Sequence, residues 1–200
     1  MKHARNIIYD FETLSQEVNG AVTCCALLIF HEKRFDVNND PYTFEELVDS
    51  AKVIKLDVED QVKNYKRIIT QETLDWWKSQ GSEAQKWITP SDDDQKISKL
   101  YDWFWENSPT DIKNFYTRGN TFDPIFLQSL MADTDRPMPY NWWQIRDTRS
   151  YIEGLAWGSE LIHDYIPPGC EGFTKHDPKH DIALDVMRMQ TIARAIGSII

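Results

Sequence analysis

The sequence lacks any apolar run approaching the ~20 residues that a membrane-spanning helix requires, so an integral helical membrane protein is excluded. The N-terminal stretch MKHARNIIYDFETLS has no apolar core of the secretion-signal kind. Cysteine is scarce: Cys24 and Cys25 are adjacent, Cys170 is far away, and no C-x-x-C pair exists to hold zinc. Neighbours on a strand point to opposite faces, so Cys24 and Cys25 are badly placed to bond to each other. A reduced, cytoplasmic protein is expected. Only 8 Gly and 9 Pro in 200 residues, with 41% hydrophobic residues, exclude a low-complexity or disordered chain and leave a single folded domain over residues 1–200. Basic residues are the minority, 22 against 32 acids, for a formal charge of −10. That excludes a long basic groove coating many phosphates, because such binding rests on Lys and Arg neutralising the backbone. Room remains for an enzyme that grips a few nucleotides through metal ions.

Against these absences stand eight tryptophans and a clear order of elements. Asn6–Tyr9 is a short β-branched and aromatic run ending at Asp10, and Ala21–Phe30 is a near-continuous apolar stretch, as a strand buried on both faces should be. Phe35 and Val53–Leu56 read as further strand material separated by a polar insertion, Asn38–Asp49, giving an antiparallel meander. Helical spacing follows: Thr70 opens a segment with Leu74 and Trp77, and Ser82 opens another through Trp87. Ser91 and Asp94 cap an amphipathic helix carrying Ile97, Leu100, Trp103 and Phe104. Lys113–Thr117 is a strand, and Asp123-Pro124 starts a helix with Asp as the cap. Trp142–Ile145 is a strand and Thr148–Trp157 a helix. Asp177-Pro178 opens a last helix whose apolar stripe is Ile182, Val186, Met189, Ile192, Ala193 and Ile196. Strands first, then strands alternating with helices, give an α/β fold: a mixed sheet with helices on both faces.

Three groups of residues could carry chemistry. Asp10 and Glu12, in Tyr-Asp-Phe-Glu-Thr, lie two apart at a strand end and so project from one face. Two like charges there are costly unless a cation offsets them, and such hard oxygen donors suit Mg²⁺ or Mn²⁺; a solvated strand end is the plain alternative. Asp123 stands at a helix start, where capping alone would account for it. In His176-Asp177-Pro178-Lys179-His180-Asp181 the imidazole is a natural base for water beside an acidic centre, and a solvated helix start is again the plain alternative.

Taken together, strand Asp-x-Glu, then Asn-x-Phe-Asp, then His-x₄-Asp resembles the DEDDh family of 3′→5′ exonucleases. The segments IIYDFETLS, TLDWWKSQGSEAQKWI, RGNTFDPIFL, WWQIRDTRS and EGFTKHDPKHD resemble, in order, those of the phage exonuclease A type. The resemblance runs from residue 7 to about 196. It implies a ribonuclease H-like fold with a mixed five-stranded sheet flanked by helices. It also implies that Asp10, Glu12, Asp123 and Asp181 are ligands of two Mg²⁺ or Mn²⁺ ions, with His176 the general base. The substrate would be the 3′ end of a single-stranded nucleic acid, DNA favoured, and the products nucleoside 5′-monophosphates. Host cytoplasm would be the location if the gene is a phage gene. No protein partner is called for.

His180 and Asp185 satisfy the same His-x₄-Asp spacing four residues on. The first register keeps an inward stripe of Ile182, Val186, Met189 and Ile192, whereas the second turns Gln190 inward, so His176/Asp181 is preferred. Phe11 and Leu14 are candidates to hold the terminal base. Arg118, Arg146 and Arg149 either bind phosphate or pair with nearby acids. Trp77, Trp87, Trp103, Trp105 and Trp143 are expected in packing, and stacking on bases is the alternative for one or two tryptophans, with Trp76 and Trp142 the candidates. Three other functions remain open: an exoribonuclease or an enzyme trimming another nucleotide-containing end on the same residues, a binding module without turnover, and a ribonuclease H-type endonuclease that needs no free end.

Overall fold

The computed structural model describes residues 5–156 and 165–197; Trp157 therefore lies outside the described residues. Its strands are β1 (Arg5–Thr13), β2 (Val22–His31), β3 (Lys52–Lys55), β4 (Ile112–Thr117) and β5 (Ile145–Asp147). They form one sheet in the order β3-β2-β1-β4-β5. The β1–β2 and β2–β3 pairs are antiparallel, the expected meander, while β1–β4 and β4–β5 are parallel. This is the mixed five-stranded ribonuclease H-like arrangement.

The helices are α1 (Phe44–Ser50), α2 (Val58–Tyr65), α3 (Gln71–Lys78), α4 (Ser82–Gln85), α5 (Leu100–Glu106), α6 (Asp123–Asp133), α7 (Thr148–Leu155) and α8 (Pro178–Gly197). Alternation along β1 and β2 divides the core. Ile8, Ala26, Leu28 and Phe30 pack with Leu47 of α1, Ile152 of α7 and the stripe of α8. Ile7, Tyr9, Phe11, Cys25 and Leu27 pack on the other face with Phe104 of α5 and with Phe126 and Leu130 of α6. Because both faces are covered, β2 shows no polar alternation, which is why Ala21–Phe30 reads as a near-continuous apolar run interrupted only by the buried Thr23. A smaller cluster of Leu14, Ala21, Trp77 and Ala84 lies beyond the end of β1. There the Trp77 indole N–H donates to the Thr13 carbonyl at 2.9 Å and fastens α3 beside the site. At the turn before β2, a Cβ on Gly20 would lie 2.9 Å from the Ser15 and Glu17 carbonyls, so only glycine fits.

Several local expectations are corrected. Strand β1 does not stop at Tyr9; Asp10 and Glu12 remain opposite Ala26 and Cys24 of β2, and the register shifts only after Glu12. Phe35 closes a 3₁₀ turn (Glu32–Phe35) and folds back to stack on Phe30 at 5.7 Å. The polar insertion contains α1, started by the Thr43 hydroxyl accepting the Glu46 N–H. Ser91 and Asp94 close a turn, not a helix, because Gln95 is taken up by the backbone of Lys55; helical structure begins at Ile97. Trp142–Gln144 is a 3₁₀ turn with Asn141 and Gln144 capping each other, so β5 starts only at Ile145. Trp77 is buried, but Trp105 and Trp143 are exposed. Gln190, which the stripe argument keeps off the inward face, is buried: its amide accepts the Tyr42 N–H and donates to the Tyr42 carbonyl.

Candidate active site

Asp10 and Glu12 continue the line of Ile8 on the β1 face that α8 covers, as the two-residue period dictates. Strand β4 pairs with β1 only as far as Ile8 opposite Tyr116, so the two parallel strands part before Asp10. In the gap the Phe11 N–H donates to Asp123 Oδ1 at 3.1 Å. Asp123 therefore spans from the start of α6 to β1, which corrects its expected role as a helix cap; the cap position is Phe122 and makes no side-chain bond. Gly119, at φ +109°, turns the chain from β4 into α6, a conformation suited to glycine. A crevice at the ends of parallel strands where their connections diverge is a usual place for a site in α/β sheets.

From the opposite side α8 delivers its first turn. Asp181 Oδ2 accepts the backbone N–H of His176 at 3.1 Å, and His176 itself has φ 62°, uncommon for a residue with a side chain. One donor atom each from Glu12, His176 and Asp181 lies within 4.8 Å of the others. Asp10, Glu12, Asp123, Asp181 and His176 line one cleft of about 700 Å³, together with Arg118, Arg149, Lys175 and Arg188. A second cavity of about 250 Å³ adjoins it through Phe11, Glu12 and Phe122, and is closed by Gln16, Thr73 and Trp76.

Burial pushes the Asp10 carboxyl well above its ordinary range, and Asp123, Glu12 and Asp181 add like-charge repulsion. Glu12 is raised by burial and then by Asp181 and Asp123. Asp123 is pushed up to about 7 by burial, opposed by the Phe11 N–H; Asp181 is likewise at about 7 through burial and Asp185. Asp10 and Glu12 accept no hydrogen bond from any described group, although Glu12 is only 7% exposed. Four mutually repelling carboxylates, largely withdrawn from water and given among the described residues only two backbone N–H donors, one to Asp123 and one to Asp181, match a hard divalent cation and would be costly without one. The His176 imidazole is pushed down by burial and by Lys175, which favours its neutral, proton-accepting form.

The alternative His180 and Asp185 are placed differently. His180 Nδ1 accepts the Thr174 N–H at 2.9 Å and its ring packs on Phe44 and Phe173, away from the carboxylates. Asp185 lines the cleft but is engaged by Arg118 at 2.6 Å, Thr148 at 2.7 Å and Arg188 at 3.0 Å. Phe11 lines both cavities; Leu14 lines neither and is buried under Trp77, which corrects its expected contact with a base. Arg149 reaches the cleft, whereas Arg146 donates to the carbonyls of Trp143 and Ile145. Sequence reasoning missed Arg188 and Phe122. The signal for Arg188 was present: Asp181, Asp185 and Arg188 follow i, i+4, i+7 spacing and so share one helix face.

The family model described as "3'-5' exoribonuclease Rv2179c-like domain" matches residues 5–192. The exodeoxyribonuclease of Enterobacteria phage T4 is 32% identical over 94% of this chain and 89% of its own. Among solved structures, E. coli exonuclease I with a dA16 oligonucleotide aligns at a TM-score of 0.61 and 12% identity. That alignment covers 97% of this chain and 42% of the other. The zinc-bound exonuclease I–ssDNA complex aligns at 0.57 over 98% and 41%. The chain thus spans about two fifths of exonuclease I, and that likeness concerns the fold.

Proposed function

The chain belongs to the family of Rv2179c-like 3'-5' exoribonuclease domains and is a DEDDh-type 3′→5′ exonuclease, a phosphodiester hydrolase, and on that premise we propose how its own residues act. The substrate is the 3′ end of a single strand, and DNA is favoured, in line with the phage T4 relative and with the single-stranded DNA in the exonuclease I complexes. The observation that carries the site assignment is the convergence of Asp10, Glu12, Asp123 and Asp181 with His176 in one cleft.

Asp10, Glu12, Asp123 and Asp181 would hold two divalent ions, Mg²⁺ or Mn²⁺. Bound there, these ions supply positive charge to the scissile phosphate and acidify the attacking water. His176, held neutral by burial and Lys175, takes the proton from that water at a ring nitrogen. Arg118, Arg149 and Arg188 on the cleft wall orient the phosphate, and Asp185 keeps Arg118 and Arg188 in place. Phe11 and Phe122 border both cavities and exclude water from the sugar side. The P–O bond to the leaving 3′-oxygen breaks, and the released nucleotide keeps its 5′-phosphate.

The description of the family model favours a second reading, an exoribonuclease on the same residues. The test is hydrolysis of matched DNA and RNA 18-mers in Mg²⁺, with circular single strands as a control. Faster release of 5′-monophosphates from DNA supports the proposal. Faster release from RNA replaces it with the second reading, and cleavage of circles removes both.

A further inference from the structure

A general base is usually oriented by a third group that hydrogen-bonds its second nitrogen. Among the described residues His176 has no such group: its backbone N–H goes to Asp181, and no described residue hydrogen-bonds its ring. The ring instead meets an aromatic wall on α3. Trp76 lies 4.8 Å from it, centroid to centroid, at 75°, and Trp77 lies 6.0 Å away at the same angle. The two indoles themselves meet edge to face at 4.9 Å.

This wall is built, not accidental. Trp77 is 1% exposed and its indole N–H is fixed on the Thr13 carbonyl, one residue after Glu12. Next to the anchored Trp77, Trp76 stands about 100° round α3 and lines the 250 Å³ cavity that adjoins the cleft. Trp76 is 42% exposed, an unusual place for an indole whose only task is packing. Beyond it the His176 donor nitrogen is within 4.8 Å of carboxylate oxygens of Glu12 and Asp181.

We infer that Trp76 is a positioning residue, whose indole holds the His176 ring edge-on against the acidic cluster in place of a hydrogen-bonded carboxylate or carbonyl. The inference rests on the reading of His176 as the general base. Edge-to-face contact fixes the plane of the imidazole through the ring quadrupole while leaving both nitrogens free to carry a proton. A competing role exists, since Trp76 also borders the 250 Å³ cavity and could stack a base there.

The two roles separate in kinetics. Trp76→Leu and Trp76→Phe are to be compared with wild type on a single-stranded oligodeoxynucleotide in Mg²⁺, and Trp76→Leu again in a His176→Ala background. Positioning predicts that Trp76→Leu lowers kcat roughly tenfold with KM within about twofold, and that Trp76→Phe recovers most of the loss. In the His176→Ala background the same change should alter the residual rate by less than about twofold, because the ring it positions is gone. Where Trp76→Leu melts below the assay temperature, the His176 ring signals in a proton–carbon NMR spectrum of Trp76→Phe serve, and they should keep their wild-type dispersion. A raised KM with intact kcat overturns the inference in favour of stacking. An equal loss in both backgrounds, or collapsed ring signals in Trp76→Phe, overturns it as well. A full rate in His176→Ala alone removes the general base itself, a failure distinguishable from the others.

Discussion

The backbone N–H of His176 and the carboxylate of Asp181 are joined at 3.1 Å, so the loop before α8 is fastened to its first turn. The imidazole and the carboxylate are thereby delivered to the cleft together. His180 is tied instead to the Thr174 N–H and packed among Phe44 and Phe173. His176→Ala should lower kcat roughly 10²- to 10⁴-fold with little change in melting temperature. His180→Ala should cost about 1 kcal/mol of stability and leave kcat within about threefold. Side-by-side steady-state rates and melting curves decide it; a larger kcat loss for His180 would transfer the base to the other register.

The acidic cluster makes a signed prediction about pH. Asp123 and Asp181, ordinarily near 3.8, are pushed up to about 7 by burial. Between those values the folded protein holds more protons than the unfolded chain, so their contribution is fully present below pH 4 and lost as pH rises through 7. In EDTA the melting temperature of wild type should fall from pH 5 to pH 8, and Mg²⁺ should restore it at pH 8. Asp123→Asn keeps an oxygen for the Phe11 N–H but removes the charge. It should be inactive, yet about 1–3 kcal/mol more stable than wild type at pH 8 in EDTA. A destabilised Asp123→Asn under those conditions would contradict the account of the cluster.

Asp185 is 1% exposed and takes hydrogen bonds from Arg118, Thr148 and Arg188. Asp185→Ala removes a buried carboxylate shared by two guanidinium groups, at a cost of about 2–4 kcal/mol. Arg118 and Arg188 also line the cleft, so KM should rise severalfold in a variant kept below its melting point. Asp185→Asn retains the Thr148 contact and should lie between the two. Unfolding curves and KM for both variants check this, and unchanged values in Asp185→Ala would show that the network holds neither the fold nor the arginines.

Much of this was legible in the sequence, for physical reasons that differ by residue. Asp10 and Glu12 were readable because the strand period alone puts them on one face, and α8 because Pro178 and its apolar stripe mark both start and orientation. Asp123 was found at its helix start but given the wrong local role, since the partner that takes its carboxylate, Phe11 N–H, is 112 residues away. Leu14 and Phe11 are both apolar residues beside the acids, and only the turn at Gly20 and the docking of Trp77 decide which one faces the cleft. The inward Gln190 was unreadable because its partners are backbone groups of Tyr42, invisible to any periodicity of α8. Phe35 and Trp142 have strand-forming composition, and were overridden by a stacking contact and by the Asn141–Gln144 cap.

Trp142 supplies a last test, because sequence paired it with Trp76 as a platform for bases. Parallel strands β1, β4 and β5 all run toward the cleft, whose residues Arg118 and Arg149 follow the ends of β4 and β5. Trp142 comes before β5, and the adjoining Gln144 amide donates to the carbonyls of Ile112 and Lys113 at the start of β4. It therefore sits at the end of the sheet away from the carboxylates, although it is 80% exposed. Substrate bound by its last few nucleotides in the 700 Å³ cleft would not reach it. Trp142→Ala should leave kcat and KM for a short single strand of four to six nucleotides within about twofold of wild type, as expected for a surface change remote from the site. The Trp76 variants, measured on the same strand, supply the contrast. A KM raised severalfold by Trp142→Ala on that short strand would mean that the nucleic acid runs along β5 from the very end, and the cleft would have to be extended to include it.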